Sequence, residues 1–533
     1  MKKKFFVLLL LSWMMSNQSQ TLKPIDVRNT FLPPEFYLPD TSRTYTSFQP
    51  IDPESLVLSQ EKHTIKTSSK LLYWLLNKEF FLRKRKDYIL RIQPLLILEA
   101  GKTNDSNQNT FRNTRGIKID AAIGKQVVFS SSVLENQAKF PAFYERLFGT
   151  LKPGNNFPGT IPGEGIAKIK KNGAYDFPVA EGFVRYQPSD HFIFELGHGR
   201  SFIGDGFRSL FLSGETGPIP YFRLDTKFWH VRYTVMWSML QDIRSHIMSN
   251  GFYYKKYMAT HFLDWAVTPK WHLGVFENVI WDPVIAGRGF DLNFLNPFIF
   301  FKTIEFQSGT KTANTVLGLQ SSYKFFQKTH IYGQFLLDEM TVRKFFGDPG
   351  YWGNKYGFQI GIKTAQQIGH HKIFGRLEWN QVRPYTYSHH LTTINYGHNN
   401  WPIAHPFGAN FKEFVAEFHW YYKRFFLKSW MSFSQQGHEI PGDNTFYGAN
   451  IYRDYEDRIS DTGIKLLQGN LVQRNILDME AGWTVNSKWP LQIYAGIRWR
   501  KQSVEIPDNL YKDENLTWLK LGIRTFWLKN LRY

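Results

Sequence analysis

Four histidines, His389, His390, His398 and His405, fall close together in one aromatic stretch of the chain. Imidazole nitrogens ligate zinc and related ions, so the cluster invites a metal reading. Its spacing argues otherwise: there is no helical HExxH or comparable ligand pattern, and with Cys 0 there is no thiolate to complete a site. Gly101, Lys102 and Thr103 resemble the end of a phosphate-binding loop, yet Leu96 stands where the first glycine must be. The run GHGRSFIGDG from Gly197 to Gly206 has the spacing of neither a dinucleotide fingerprint nor a nucleophile elbow. A glycosidase pair cannot be picked from 45 acidic residues without geometry. The expectation is therefore a chain without catalytic residues, metal or cofactor.

Binding chemistry is better represented. Tyr385 to Trp401 and Tyr447 to Tyr455 are rich in Tyr, Trp, Asn and His. Aromatic faces stack on pyranose rings while amides bond to sugar hydroxyls, although loops that merely pack on one another have the same composition. A pI of 9.6 points to a polyanionic partner. Nucleic acid is disfavoured, because no nucleic-acid-binding motif is present and the N-terminus reads as an export signal. Lys2, Lys3 and Lys4 precede the apolar run Phe5 to Met15, followed by Ser16 to Gln20, where cleavage is expected. Losing three lysines and no acid lowers the formal net charge from +20 to +17. For an exported basic chain the expected counterparts are membrane lipid and lipopolysaccharide phosphates, or an acidic polysaccharide.

The elements that would carry such loops follow from patterning. The 533 residues are 42% hydrophobic and 17% aromatic, yet the mean hydropathy is −0.37. Length alone suggests about three soluble domains. Alternation suggests something else. Leu519, Leu521 and Ile523 interleave with Lys520 and Arg524; Leu477, Met479, Ala481 and Trp483 interleave with Asp478 and Glu480; Phe414, Ala416, Phe418 and Trp420 interleave with Glu417 and His419. One face is apolar and aromatic, the other charged. From residue 267 onward, short connections (268–270, 327–328, 365–370, 423–424, 486–489) alternate strictly with long ones (282–314, 339–354, 383–410, 437–472, 503–514). Outer-membrane barrels have this parity, and sandwiches have no reason to keep it.

Counting such segments from residue 88 to 527 gives an all-β, transmembrane, antiparallel up-and-down barrel of about 18 strands. The expected organisation is 1–20 signal peptide, 21–86 a partly helical periplasmic or plug segment, and 87–533 the barrel. The lumen would hold water unless loops or the helical segment fill it. Trp229, Trp237, Trp420, Trp430, Trp483, Trp499 and Trp527 are expected at the headgroup level. A turn at Asn486 to Lys488 pairing Val485 with Leu491 would set Asp478 opposite Arg498, an ion pair worth about 1 kcal/mol or less in a wet lumen.

Two kinds of phrase then carry a family resemblance. The block His191 to Leu212, with GHGRSFIGDGFR inside it, resembles the Wzi-like capsule-assembly family of outer-membrane barrels. GRGFDLNFLNPFIFFKTIE from Gly287 and NYGHNNWPIAHPFGANF from Asn395 look more like the RemB-type branch of gliding bacteria. The resemblance implies an eighteen-stranded barrel with a helical N-terminal element that binds or anchors surface polysaccharide without catalysis. It also links the chain to gliding motility or adhesion, and to motility or adhesion proteins as partners. It nominates as polysaccharide-binding candidates Arg200, Asp205, Arg208, Arg288, Asp291, Asn293, Asn296, His398, Asn400 and His405. A diffusion or uptake channel and a glycan- or lipid-modifying enzyme are the alternatives.

Overall fold

Alternation of this kind can satisfy every backbone group only if the sheet closes on itself, and it does. The computed structural model describes residues 32–36, 44–51, 66–104, 108–148, 159–170, 173–248, 251–284, 289–290, 292–297, 313–326, 328–486 and 488–526; the signal region and Trp527 lie outside them. The wall begins with β1 (Tyr88–Thr103), β2 (Asn109–Ile123), β3 (Val127–Lys139), β4 (Tyr175–Tyr186), β5 (Phe192–Gly199) and β6 (Ile219–Phe228). It continues with β7 (Val231–Asp242), β8 (Tyr254–Thr268), β9 (Trp271–Trp281), β10 (Ala313–Phe326), β11 (Thr329–Glu339) and β12 (Lys355–Ile368). It ends with β13 (His371–Val382), β14 (Phe411–Tyr422), β15 (Phe425–His438), β16 (Asn470–Asn486), β17 (Leu491–Val504) and β18 (Glu514–Arg524). Each strand is antiparallel to the next, and β18 returns to β1 with Leu521 opposite Ala100. The barrel is thus closed with eighteen strands, one body in place of three soluble domains.

Burial is inverted relative to a soluble protein. Leu519 and Leu521 are 54% and 63% exposed, whereas Arg223, Arg232, Asp225 and Glu195 are buried. Apolar side chains facing lipid and charges facing inward are what a barrel in hydrocarbon requires. The short turns continue through the whole wall, with 124–126, 187–191, 229–230 and 269–270 at the same end as 369–370 and 423–424; at the other end the connections are long except the first, 104–108. Trp229 belongs to one of them, with φ 48°, so β7 starts at Val231.

The interior shows what occupies the lumen and corrects two expectations. The lumen is not a wet channel at the level of the plug: the β5–β6 loop (200–218) and the β13–β14 loop (383–410) fold into it. Tyr387 and Tyr396 stack at 5.3 Å and donate to Leu210 O and Phe211 O, each at 2.7 Å. Ser213 N–H donates to Ile403 O at 2.7 Å, and Phe211 stacks on the wall residue Phe276 at 4.6 Å. Trp430 faces this interior and not lipid, beside Phe207 at 5.6 Å and under the Arg498 guanidinium. Asp478 does stand opposite Arg498, 2.5 Å away, although Val485 falls in a bulge and Asn486 pairs with Leu491. The pair is 12% and 5% exposed and packed against Tyr144 and Trp518. Removing one partner from such a buried pair costs about 3–5 kcal/mol, because the other charge is left buried without its counter-charge.

The N-terminal region contributes in two places. Phe48 and Gln49 pair with Ile203 and Phe202 inside the barrel, where Phe48 lies beneath the guanidinium of Arg223 at 5.1 Å. Helix α1 (Lys70–Asn77) instead sits at the short-turn rim, where Asn486 donates to Lys78 O at 3.0 Å.

Candidate functional site

The sequence candidates separate into four groups. Arg200, Asp205, Arg208, His398 and His405 are bound into the plug. Asp205 accepts from Thr46 Oγ1 at 2.8 Å, Ser47 Oγ at 3.1 Å, Gln320 Nε2 at 3.1 Å and Lys363 Nζ at 3.0 Å, so it ties the N-terminal segment to the wall. Burial alone would raise its pKa; the Lys363 ammonium and the hydroxyl donors more than offset that and hold it below the ordinary carboxylate range. Arg208 donates to both oxygens of Glu413, at 3.2 and 3.0 Å, and His405 Nε2 is 2.7 Å from the same carboxylate. His398 Nδ1 accepts from Gln241 N–H at 2.8 Å, and Arg200 pairs with Glu181 at 2.6 Å. Burial depresses His398 and His405 to about 3 and about 4, so both are neutral at pH 7. These groups hold loops in place. Asn293 and Asn296 are exposed on the β9–β10 loop, while Arg288 and Asp291 lie outside the described residues. Asn400 lines a cavity.

That cavity opens at the long-loop end, where several elements converge. It has a volume of about 320 Å³ and lies between helix α2 (Ala142–Leu147), the β13–β14 and β15–β16 loops, and the ends of β16 and β17. The two aromatic loops meet here, with Tyr452 Oη donating to Trp401 O at 3.3 Å. The wall supplies the charge. Arg474 donates to Gln436 at 3.2 Å and Gln502 at 3.2 Å, and lies over the rings of Phe407 at 5.2 Å and Tyr511 at 5.4 Å. Arg500 lies 4.0 Å over Phe143 and donates to Gln502 at 2.7 Å and Glu514 at 3.1 Å. His438 is 4.1 Å from the Tyr511 ring, and Tyr511, in the β17–β18 loop, is pushed up to about 12 by burial. Guanidiniums locked by neighbours, flat aromatic faces and amides surround a space at the lower end of the range for ligand pockets, about 300–1,000 Å³. Among the described residues, no group of three or more His, Asp or Glu is placed to hold a metal.

The sequence reading missed Arg474, Arg500, Gln502, His438 and Tyr511. Their signal was present but unranked. All but Tyr511 occupy inward positions near the long-loop ends of their strands, and Tyr511 lies in the long connection beside them.

A closed eighteen-stranded wall with folded-in loops invites comparison with solved barrels. The fold is similar to that of Wzi. This Escherichia coli outer-membrane protein, involved in group 1 capsule assembly and described as a carbohydrate-binding β-barrel, aligns with a TM-score of 0.53 over 96% of this chain and 100% of its own, at 11% identity. OccAB2 of Acinetobacter baumannii and OprD of Pseudomonas aeruginosa align at 0.42 each, over 82% of this chain and 98% and 93% of theirs, again at 11% identity. At these identities the likeness to Wzi is one of fold, and with the closed wall it places this chain among outer-membrane barrels. No protein-family model matches the chain, and no curated protein matches it in sequence.

Proposed function

We propose that this chain is a non-enzymatic outer-membrane barrel that binds or anchors an acidic surface polysaccharide, of the capsular kind, at its extracellular face, and that this attachment serves adhesion or gliding motility. The observation that carries the reading is the cleft itself: Arg474 and Arg500 stand beside Trp401, Phe407 and Tyr511 at the long-loop end of a barrel whose lumen is filled. Arginine forks suit the carboxylates of uronic sugars, and the aromatic faces suit their apolar ring surfaces. The carbohydrate binding described for Wzi supports the same chemistry. A channel reading has less support, because the 200–218 and 383–410 loops occupy the path through the wall. Neighbouring lipopolysaccharide and motility or adhesion proteins at the cell surface are the partners this reading implies.

The test is surface plasmon resonance with full-length protein in nanodiscs and an acidic capsular polysaccharide as analyte. Tyr511→Ala, which removes one stacking face at the cleft mouth, is expected to weaken binding by about tenfold, the scale of one or two kcal/mol for a lost ring contact. Unchanged binding by Tyr511→Ala and by a second cleft variant, Asn450→Ala, would remove the cleft from the proposal. Large steady currents from the wild type in planar bilayers would favour the channel.

A further inference from the structure

Helix α1 is built to meet something apolar. Its sequence is KLLYWLLN, with Ser69 as N-cap accepting from Leu72 N–H at 3.4 Å, and Leu71, Leu72, Tyr73 and Trp74 are all exposed, Leu71 at 74%. The following Phe80, Phe81 and Leu82 are exposed as well. The short strand Phe81–Lys84 pairs with the free edge of β1 below the closure seam, with Phe81 opposite Ile92 and Arg83 opposite Leu90. Strand alternation therefore turns Phe81 to the same side as the lipid-facing Leu98. So dense an apolar patch on a water-facing surface marks an interaction site.

Two observations identify the occupant. The patch is continuous with the aromatic girdle at the short-turn end: Trp74 lies 5.7 Å from Phe80, and Phe80 lies 5.8 Å from Trp489 in the β16–β17 turn. The segment also carries Lys70, Lys78 and the run Arg83 to Lys86 against only Glu79 and Asp87, and Glu79 is already paired with Arg91 at 3.0 Å. An eight-residue helix cannot span a bilayer, which needs about 20 residues, but an apolar face flanked by cations lies in the interface plane.

We propose that residues 70–86 form an interfacial anchor on the periplasmic leaflet, with helix α1 lying in the membrane plane, its exposed apolar side chains entering the acyl boundary, and the basic run Arg83 to Lys86 at the level of the phosphates of acidic phospholipids. The anchor rests on the outer-membrane fold and is independent of any polysaccharide bound at the opposite end.

Because the chain has Cys 0, a single Leu71→Cys substitution in the full-length protein accepts one spin label. Power-saturation EPR compares its access to oxygen and to a nickel chelate with labels at Leu521→Cys on the lipid face and Lys125→Cys in a periplasmic turn, Leu72→Cys serving as a second position. In phosphatidylethanolamine–phosphatidylglycerol vesicles the nickel accessibility at position 71 should fall at least about fivefold below that at position 125. The quadruple substitution Arg83→Gln, Lys84→Gln, Arg85→Gln, Lys86→Gln should raise it severalfold, with heat-modifiable migration unchanged. A label at 71 as open to nickel as the one at 125 overturns the anchor. Equal shielding in phosphatidylcholine vesicles, unaffected by the quadruple substitution, overturns the acidic headgroup. Shielding that appears only at high protein-to-lipid ratio assigns the patch to a second copy and overturns the lipid.

Discussion

Replacing Glu413 by glutamine tests whether the plug is clamped to the wall. Glu413 projects inward from β14 with its side chain fully buried, and four bonds converge on it: two from Arg208 at 3.2 and 3.0 Å, the contact with His405 Nε2 at 2.7 Å, and one from Ser432 Oγ at 2.7 Å. Arg208 and His405 belong to different loops, so one carboxylate joins both halves of the plug. Glu413→Gln keeps the shape and removes the charge, leaving Arg208 buried without its counter-ion. Breaking a buried pair from one side costs about 3–5 kcal/mol. At about 1.4 kcal/mol per power of ten, that raises the fraction of barrels with a detached plug by roughly two to nearly four powers of ten. The wall should persist, since β14 keeps its backbone ladders to β13 and β15. Planar-bilayer recording should therefore show a quiet wild type and bursts of opening in Glu413→Gln, with proteolysis appearing within residues 200–218. Arg208→Met combined with Glu413→Leu should be quieter than the single variant, because apolar side chains of similar volume can replace a buried pair at little cost. A Glu413→Gln barrel as quiet and as protease-resistant as the wild type would refute the reasoning.

Acidification should loosen the same plug. His405 titrates near 4 in the folded chain against 6.5 when unfolded, because burial disfavours its charged form, so the unfolded chain binds the extra proton between those values. The stability contributed by keeping it neutral is complete above about pH 6.5 and is lost as pH falls toward 4; bilayer current should rise over that window and less so in His405→Asn. Asp478→Asn should lower stability by about 3–5 kcal/mol in urea unfolding. Asp461→Asn should change it by under about 1 kcal/mol, since Asp461 is 65% exposed beside Arg458. Gly206→Ala should destabilise the plug by about 1–3 kcal/mol, seen as earlier proteolysis, because an added Cβ would sit 2.7 Å from Arg208 O as well as against the Glu378 carboxylate.

The wall was legible because its two determinants are local. Alternation such as Leu519, Lys520, Leu521 is read two residues at a time, and the parity of turns and long loops fixes which end each turn occupies. The lumen was not legible in the same way. Nothing within 200–218 or 383–410 announces that Tyr387 will reach Leu210 O, a contact between residues far apart in sequence that exists only once the wall brings the loops together. Trp430 illustrates the limit of reading position alone, since an aromatic inside the barrel and one in a girdle look alike along the chain. The nominated site suffered the same way. His405 and Arg208 have the residue types of a binding site, but Glu413 had already claimed them, whereas Arg474 and Arg500 resembled every other inward arginine until strand length placed them at the rim.

Titration calorimetry of the full-length protein in nanodiscs, with an acidic capsular oligosaccharide and the same oligosaccharide after carboxyl reduction, tests the central claim most directly. The account predicts saturable binding of the acidic form that weakens with salt, drops at least about tenfold on carboxyl reduction, and drops comparably in an Arg500→Gln variant whose barrel still migrates as folded. Equal binding of the reduced and acidic forms, or none by either at low salt, would contradict it.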